Sequence, residues 1–365
     1  MKGMKLFFMG LLALVVAVTA CGGGGGGGAV APAPAPGPVV GPVEGTIFDV
    51  VDLPGLDPAG TFSAGIAVNN NGTVVGISDD GLGILGARWN LATPAAIPVR
   101  LDPLAGDAYS AAYGLNDAGI AVGESGNASI VAVYWPAGLS APVALSDNGI
   151  FPGADSAAYG INALNEIVGE AGDGAGSTVA VFWASPTAAA AVELNDLSVN
   201  PGSSAYFISN GGTIVGESRN ASGQFQAVAW IPTGAGVYGN PVPLAALTNQ
   251  FASVAFGMDA GGRIVGEAEL NTGVVHGVVW DTSGAVVVEL GANTSAQAVS
   301  QGTGTDRIAG YTAALSGSDQ AAVWNLADTA DNQNVDVALS QAYGINDFSD
   351  IVGVSGNQAF AAIPQ

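Results

Sequence analysis

The chain is 365 residues long, with 56 glycines, 19 prolines, 49% hydrophobic residues and only 10% charged ones. Thirty acidic side chains against seven basic ones give a formal charge of −23. That balance excludes nucleic acid as a partner, because phosphate backbones are held by clustered Lys and Arg. High hydrophobicity also excludes a disordered chain, and together with abundant glycine it points to short strands joined by tight turns.

Residues 1–21 read MKGMKLFFMGLLALVVAVTAC: Lys2 and Lys5, an apolar run from Leu6 to Val18, then Thr19 and Ala20 before Cys21. A basic start, a short apolar centre and a small-residue processing site make a secretory signal peptide, and the run is too short to span a membrane comfortably. Val18-Thr19-Ala20-Cys21 resembles the lipobox of bacterial lipoproteins. The resemblance implies that Cys21 is the lipid-attachment residue, becomes the mature N-terminus and carries several acyl chains. Several chains anchor stably where one is marginal. Cys21 is the only cysteine, so an internal disulfide is excluded. Gly22 in place of aspartate implies, by analogy with enteric lipoproteins, a place in the bacterial cell envelope at the outer membrane. Without Lys2 and Lys5 the mature chain has no lysine, five arginines and a formal charge of −25.

Residues 22–45 follow as a tether. Seven consecutive glycines (22–28) form a flexible coil, and the Ala-Pro alternation from Ala31 to Pro38 favours extended polyproline II. Nothing in the segment can build a core, so it reads as a stalk between lipid and domain.

From residue 46 to 365 the chain repeats itself. SAAYGLNDAGIAVGES from Ser110, SAAYGINALNEIVGEA from Ser156, SSAYFISNGGTIVGES from Ser203 and SQAYGINDFSDIVGVS from Ser340 share one template, with weaker copies near Ser63, Ser253 and Ser295. One glycine marks each copy: Gly76, Gly123, Gly169, Gly216, Gly266, Gly310 and Gly353. The spacing of 43 to 50 residues matches a four-stranded propeller blade. Six copies carry a tryptophan (Trp89, Trp135, Trp183, Trp230, Trp280 and Trp324), and each unit has a Val-x-Leu triplet, from Val51-Leu53 to Val337-Leu339. Each copy divides into four short segments rich in Val, Ile and aromatics, separated by Asn, Asp and Gly turns. The sequence therefore predicts an all-β fold, a seven-bladed β-propeller with four strands per blade. The domain opens with a fourth-type strand, Ile47–Leu53, and ends inside a third-type strand near Ala359–Ile363. Pairing these two closes the ring and leaves no bare edge. The tryptophans are expected between blades, the glycines where a ring or backbone comes close, and Phe360 in the space left by the missing seventh tryptophan.

The pattern A-x-G-I-N-x-x-G-x-I-V-G followed by A-x-x-W resembles the bacterial extracellular repeats called the HAF family. The His-Ala-Phe signature is degenerate here, with Gln226-Ala227-Val228, His276-Gly277-Val278 and Gln358-Ala359-Phe360 in its place. The resemblance implies an exported repeat protein and assigns no reaction.

Catalytic candidates are absent from the sequence. His276 is the only histidine, and with no partner imidazole or thiol the usual nucleophilic triads and zinc sites are not available. Glu124, Glu170, Glu217 and Glu267 follow the marker glycine in four successive copies and should form an arc at equal radius. The arc reads either as a solvated strand face or as a surface for Ca²⁺ or a basic partner. No other cofactor is expected. The sequence is thus expected to encode a non-catalytic binding or scaffolding propeller, lipid-anchored to the membrane and meeting a protein or glycan. The alternatives are a polysaccharide hydrolase or lyase using paired carboxylates, and an adhesion or envelope-assembly protein.

Overall fold

The structure is a computed structural model and describes residues 46–146, 155–302, 306–313, 319–327, 332–335 and 339–365. Cys21, the signal peptide and the tether lie outside the described residues. Seven four-stranded antiparallel sheets make up the domain. In six of them the strands follow in chain order; the seventh is assembled from Ser340–Ile345, Ile351–Ser355, Gln358–Pro364 and the N-terminal strand Phe48–Leu53. Val50 stands opposite Ala362 and Asp52 opposite Phe360, so head meets tail in one blade. First strands of neighbouring blades touch around the whole circle, Ser63–Val68 closing against Ser340–Ile345. A β-propeller with seven blades is the result.

The marker glycines have a specific cause. Each inner strand carries a bulge beside the partner of the marker glycine, as between Ala158 and Gly160, and a bulge pushes local backbone out of the pleat. The displaced carbonyl lands on the second strand. A Cβ on Gly169 would stand 1.9 Å from the Ala157 carbonyl oxygen, and all seven markers meet the equivalent oxygen at 1.9 to 2.0 Å.

The repeated Ser that opens each inner strand ties one blade to the previous one. Its hydroxyl accepts from a buried backbone N–H on the preceding blade's third strand: Ala132 to Ser156 Oγ at 3.0 Å, Ala180 to Ser203 at 2.9 Å and Ala359 to Ser63 at 2.9 Å. In the sixth blade this residue is Thr294, receiving from Gly277 at 2.8 Å, so that copy begins one residue earlier than Ser295.

Tryptophans fill the seams between blades. Trp183 packs with Val122 and Leu145 of the preceding blade, and its indole donates to the Ser146 carbonyl at 3.0 Å. Trp89, Trp135, Trp230 and Trp280 donate likewise to Pro54, Asp102, Asn195 and Ala245 at 2.7 to 2.9 Å. Burying 150–250 Å² of indole removes roughly 4–6 kcal/mol of apolar exposure, while the hydrogen bond satisfies the one polar atom that burial would otherwise strand. The leucine of the Val-x-Leu triplet joins this seam: Leu53, Leu101, Leu145, Leu194 and Leu244 are buried, while Val99, Val143, Val192 and Val242 face solvent.

One sequence reading needs correction, and two features add detail to the repeat. In the sixth blade the fourth strand is Gln333–Asn334, with Val335 buried and donating to the Ala321 carbonyl; Leu339 is exposed and does not take the place of the seam leucine, and Val337 lies outside the described residues. In the seventh blade the register position of tryptophan is Ala362, opposite Ile351. Phe360, two residues earlier on the same face and fully buried, occupies the seam together with Phe48. The 50-residue fourth repeat carries an extra ribbon, Pro232–Gly234 with Val237–Tyr238, whose Tyr238 ring meets Phe182 at 5.3 Å.

Candidate functional site

The inner strands face the propeller axis with alternate residues, and two layers of side chains meet there. One layer holds, in blade order, Ile66, Tyr113, Tyr159, Tyr206, Phe256, Gln297 and Tyr343. Tyr113, Tyr159, Tyr206 and Phe256 form a continuous aromatic arc, with successive ring centroids 5.6, 5.4 and 5.9 Å apart and planes inclined by 43 to 57°. The other layer carries small residues, such as Ala111, Ala157 and Ser204, which leave room for the second strand to reach inward past them.

Glu124, Glu170 and Glu217 use that room. They pair across from Ala111, Ala157 and Ser204, and they are 5%, 2% and 1% exposed. Neither sequence reading of the arc holds for them: they form no solvated face and no exposed cation-binding surface. Glu267 keeps partial exposure. Hydroxyl donors replace the lost water. Glu124 Oε1 accepts from Tyr113 at 2.8 Å and from Tyr109 at 2.9 Å, Glu217 from Tyr206 at 3.1 Å, Glu267 from Ser295 at 2.6 Å and Glu170 from Ser204. Burial pushes Glu124 up to about 7 against the opposing pull of its tyrosine hydroxyls. Burial pushes Glu217 up to about 8, with Glu170 and Glu267 adding repulsion, and it raises Glu170 and Glu267 as well. A carboxyl in a dry site takes up a proton more readily, because charge is penalised there.

On the other side of the aromatic layer lies a cavity of about 330 Å³. It opens toward the turns between first and second strands, where Asp117, Ala163 and Asn210 are exposed. The turn asparagines hold this mouth in shape by reaching from blade to blade. Asn69 Nδ2 donates to the Asn116 carbonyl, Asn116 to Asn162, Asn162 to Ser209 and Asn346 to Asn69, all at 3.0 to 3.1 Å. Their own Oδ1 atoms cap the turn, as Asn162 does for Leu164 and Glu166. One step further out, Asn70 Nδ2 bridges Asp117 Oδ2 at 3.0 Å and Asp347 Oδ2 at 2.9 Å.

Other residues raised by the sequence sit elsewhere. His276 pairs with Glu289 at 2.6 Å on third and fourth strands of the fifth blade and does not line the cavity. Among the described residues no group of three or more His, Cys, Asp or Glu side chains is placed to hold a metal ion. Cys21 lies outside the described residues. The aromatic arc had a visible signal, the Tyr of the repeated Ala-Tyr-Gly, but periodicity alone does not say that this tyrosine faces an axis.

No family model matches the chain, and no curated protein matches it. Solved structures do. A streptogramin B lyase structure is 13% identical with a TM-score of 0.50, over 87% of this chain and 98% of that one. A prolyl endopeptidase structure is 8% identical with a TM-score of 0.54, over 76% of this chain and 42% of that one. TolB from Acinetobacter baumannii is 12% identical with a TM-score of 0.44, over 60% of this chain and 52% of that one. The chain thus spans about half of TolB and less than half of the endopeptidase. At such identities the likeness shows the propeller fold alone.

Proposed function

We propose that the protein is a non-catalytic binding propeller of the cell envelope, lipid-anchored through Cys21, whose central cavity receives a small polar solute or a protruding side chain of a partner. One observation carries this reading: a cavity within the usual size range of ligand sites, floored by aromatics and rimmed by amides held in place by interblade hydrogen bonds. A rim fixed before binding loses little entropy when a ligand arrives. The hydrolase alternative gains less support. A glycosidase needs a protonated carboxyl facing its cleft, whereas Glu124, Glu170 and Glu217, the carboxyls that burial shifts toward the protonated form, do not line the cavity. Localisation rests on the lipobox resemblance, and the acidic surface fits an exported soluble head on a tether.

The test is a thermal-shift screen of sugars, amino acids, amines and short peptides. A ligand at 100 times its Kd stabilises the native state by about 2.7 kcal/mol, which such a screen reads as a raised Tm. Ala163→Trp supplies the control. Ala163 lines the mouth and is exposed, so a bulky side chain there obstructs the cavity without removing a side-chain hydrogen bond. At least one class should raise the Tm of the parent and not of the variant. A screen with no shift, or a shift that survives the plug, would overturn the reading. For the anchor, Cys21→Ala should abolish labelling by radioactive palmitate; undiminished labelling would remove Cys21 from that role.

A further inference from the structure

We propose that the central cavity selects a small organic cation, an alkylammonium headgroup seated over the aromatic arc and drawn in by the acidic rim. The inference rests on the binding reading above and adds the chemical class of the ligand. Three features of the site converge on it.

The floor is built of rings whose polar atoms are engaged away from the cavity. Tyr113 and Tyr206 donate their hydroxyls to Glu124 and Glu217, and neither of those carboxyls lines the cavity. What Tyr113, Tyr159, Tyr206 and Phe256 offer the ligand is therefore ring carbon. Aromatic rings attract cations through the negative potential of their faces. The planes are inclined to one another by 43 to 57° and are not stacked flat. Such a floor cannot replace the oxygen shell that Ca²⁺ or Mg²⁺ requires, so it favours a weakly hydrated organic cation over an inorganic one.

Charge around the mouth is predominantly negative. The seven turns between first and second strands contain Asp117, Glu166, Asp259, Asp306, Asp347 and Asp350, and their one basic residue is Arg263. Arg263 is already paired, with Asp259 at 2.6 Å and with Asp306. No Lys or Arg lines the cavity, while Asp117 and Asp347 do. A mouth lined by one sign of charge between low-dielectric walls concentrates counter-charged ligands. Of the Asp347 carboxylate, Oδ2 accepts from Asn70 while Oδ1 is buried with no hydrogen-bond partner among the described residues.

Behind the rings stand Glu124, Glu170 and Glu217, each in contact with a tyrosine of the floor. A phenol that donates to a carboxyl has a more electron-rich ring, and the effect grows when that carboxyl ionises. Rings, rim and backing acids all favour positive charge at one place. A neutral sugar would gain from the amides but not from this alignment.

The probes are choline and 3,3-dimethyl-1-butanol, which has the same shape without the charge, titrated calorimetrically into the protein at low ionic strength. Choline should bind at least tenfold more tightly than its neutral counterpart. Asp347→Asn should weaken choline severalfold, and Phe256→Leu should weaken choline while leaving the Tm within a few degrees of the parent. Equal affinity for the two probes would overturn the cation inference and leave the binding reading standing. Failure of choline to bind would also overturn it, and the wider ligand screen with its Ala163→Trp control would then judge the binding reading separately. Full choline affinity in both variants would place the cation elsewhere and refute the assignment to this cavity.

Discussion

Replacing Gly169 by alanine tests the physical origin of the repeat with a single methyl group. The added Cβ would stand 1.9 Å from the Ala157 oxygen and 2.9 Å from both the Ala157 carbonyl carbon and the Ala158 Cα. Normal carbon contacts are about 3.5 Å or more, and none of the three atoms belongs to a side chain that could rotate aside. Either the inner strand straightens its bulge or the first and second strands part. Overpacking costs about 1–3 kcal/mol and sometimes more. Losing one or two ladder hydrogen bonds adds about 1 kcal/mol each, while the alanine returns about 0.4–1 kcal/mol by restricting the unfolded chain. The expected loss is about 3 kcal/mol. An unfolding entropy of about 2.1 cal/mol/K per residue over about 320 residues turns that into a fall in Tm of about 4–5 °C. Differential scanning calorimetry measures it directly. Gly239→Ala is the control, because a Cβ there meets nothing within 4 Å, and its Tm should not fall. A Gly169→Ala protein melting within 1 °C of the parent would refute the close-approach argument for all seven marker glycines.

Three further outcomes follow from the same geometry. Glu124 and Glu217 have folded-state values of about 7 and 8, above the 4.5 of the free carboxyl, so the native state binds their protons more tightly than the unfolded one. Their stabilisation is complete below pH 4.5 and is lost as pH rises through 7 and 8. The Tm should therefore fall between pH 5 and pH 9, Glu217→Gln should flatten the fall, and a Tm that is level or rising over that range would contradict the burial of these carboxyls. Asp79 and Asp173, whose values are lowered mainly by backbone N–H donors, act oppositely and withdraw stability on the acid side of pH 4. Trp183→Ala should cost about 3–5 kcal/mol, visible in urea unfolding as a lower midpoint; a loss under 1 kcal/mol would show that the seam between second and third blades collapses freely. Ala362→Trp, which restores the repeat's tryptophan, should destabilise alone because Phe360 already fills the seam, and should be rescued by adding Phe360→Val. No rescue in thermal melts would mean that Phe360 does not stand in for the indole.

Blade number, strand count and closure were legible because each rests on a residue repeated at fixed spacing. The fourth-type strand at the front of the domain and the unfinished last copy led directly to the pairing of Val51 with Ala361. Failures occurred where a repeat departs from its template. Val337-Leu339 matches the triplet pattern, yet the register places Val335 in the seam. Phe360 was identified as the replacement for tryptophan, but its position, two residues before the register equivalent, depends on which side chain can reach the space, and a sequence motif does not encode reach. The burial of the glutamates is not legible in the sequence, because one strand's alternation shows only that residues share a face. Whether that face meets solvent or the axis depends on the neighbouring strand and on the next blade.

The donors along the glutamate arc explain how its carboxyls persist at the axis. A buried carboxyl is tolerated only where donors replace its water. Blades two, three and four, which carry Glu124, Glu170 and Glu217, are those with Tyr113, Tyr159 and Tyr206 in the axial ring, and the tyrosine hydroxyls serve the glutamates. The fifth blade has Phe256 there, which can donate nothing, and Glu267 takes its hydrogen bond from Ser295 of the sixth blade. In the first blade both positions are aliphatic, Ile66 and Ile77, so no acid needs a donor. The seventh retains Tyr343 but has Val354 in place of the acid, and its hydroxyl turns to Gln341. Tyrosine and carboxyl thus occur together in the second, third and fourth blades and part in the fifth and seventh, where each finds another partner. In those three blades the Tyr–Glu pair is a built element of the axis, because the phenol supplies the donor that a buried carboxyl needs.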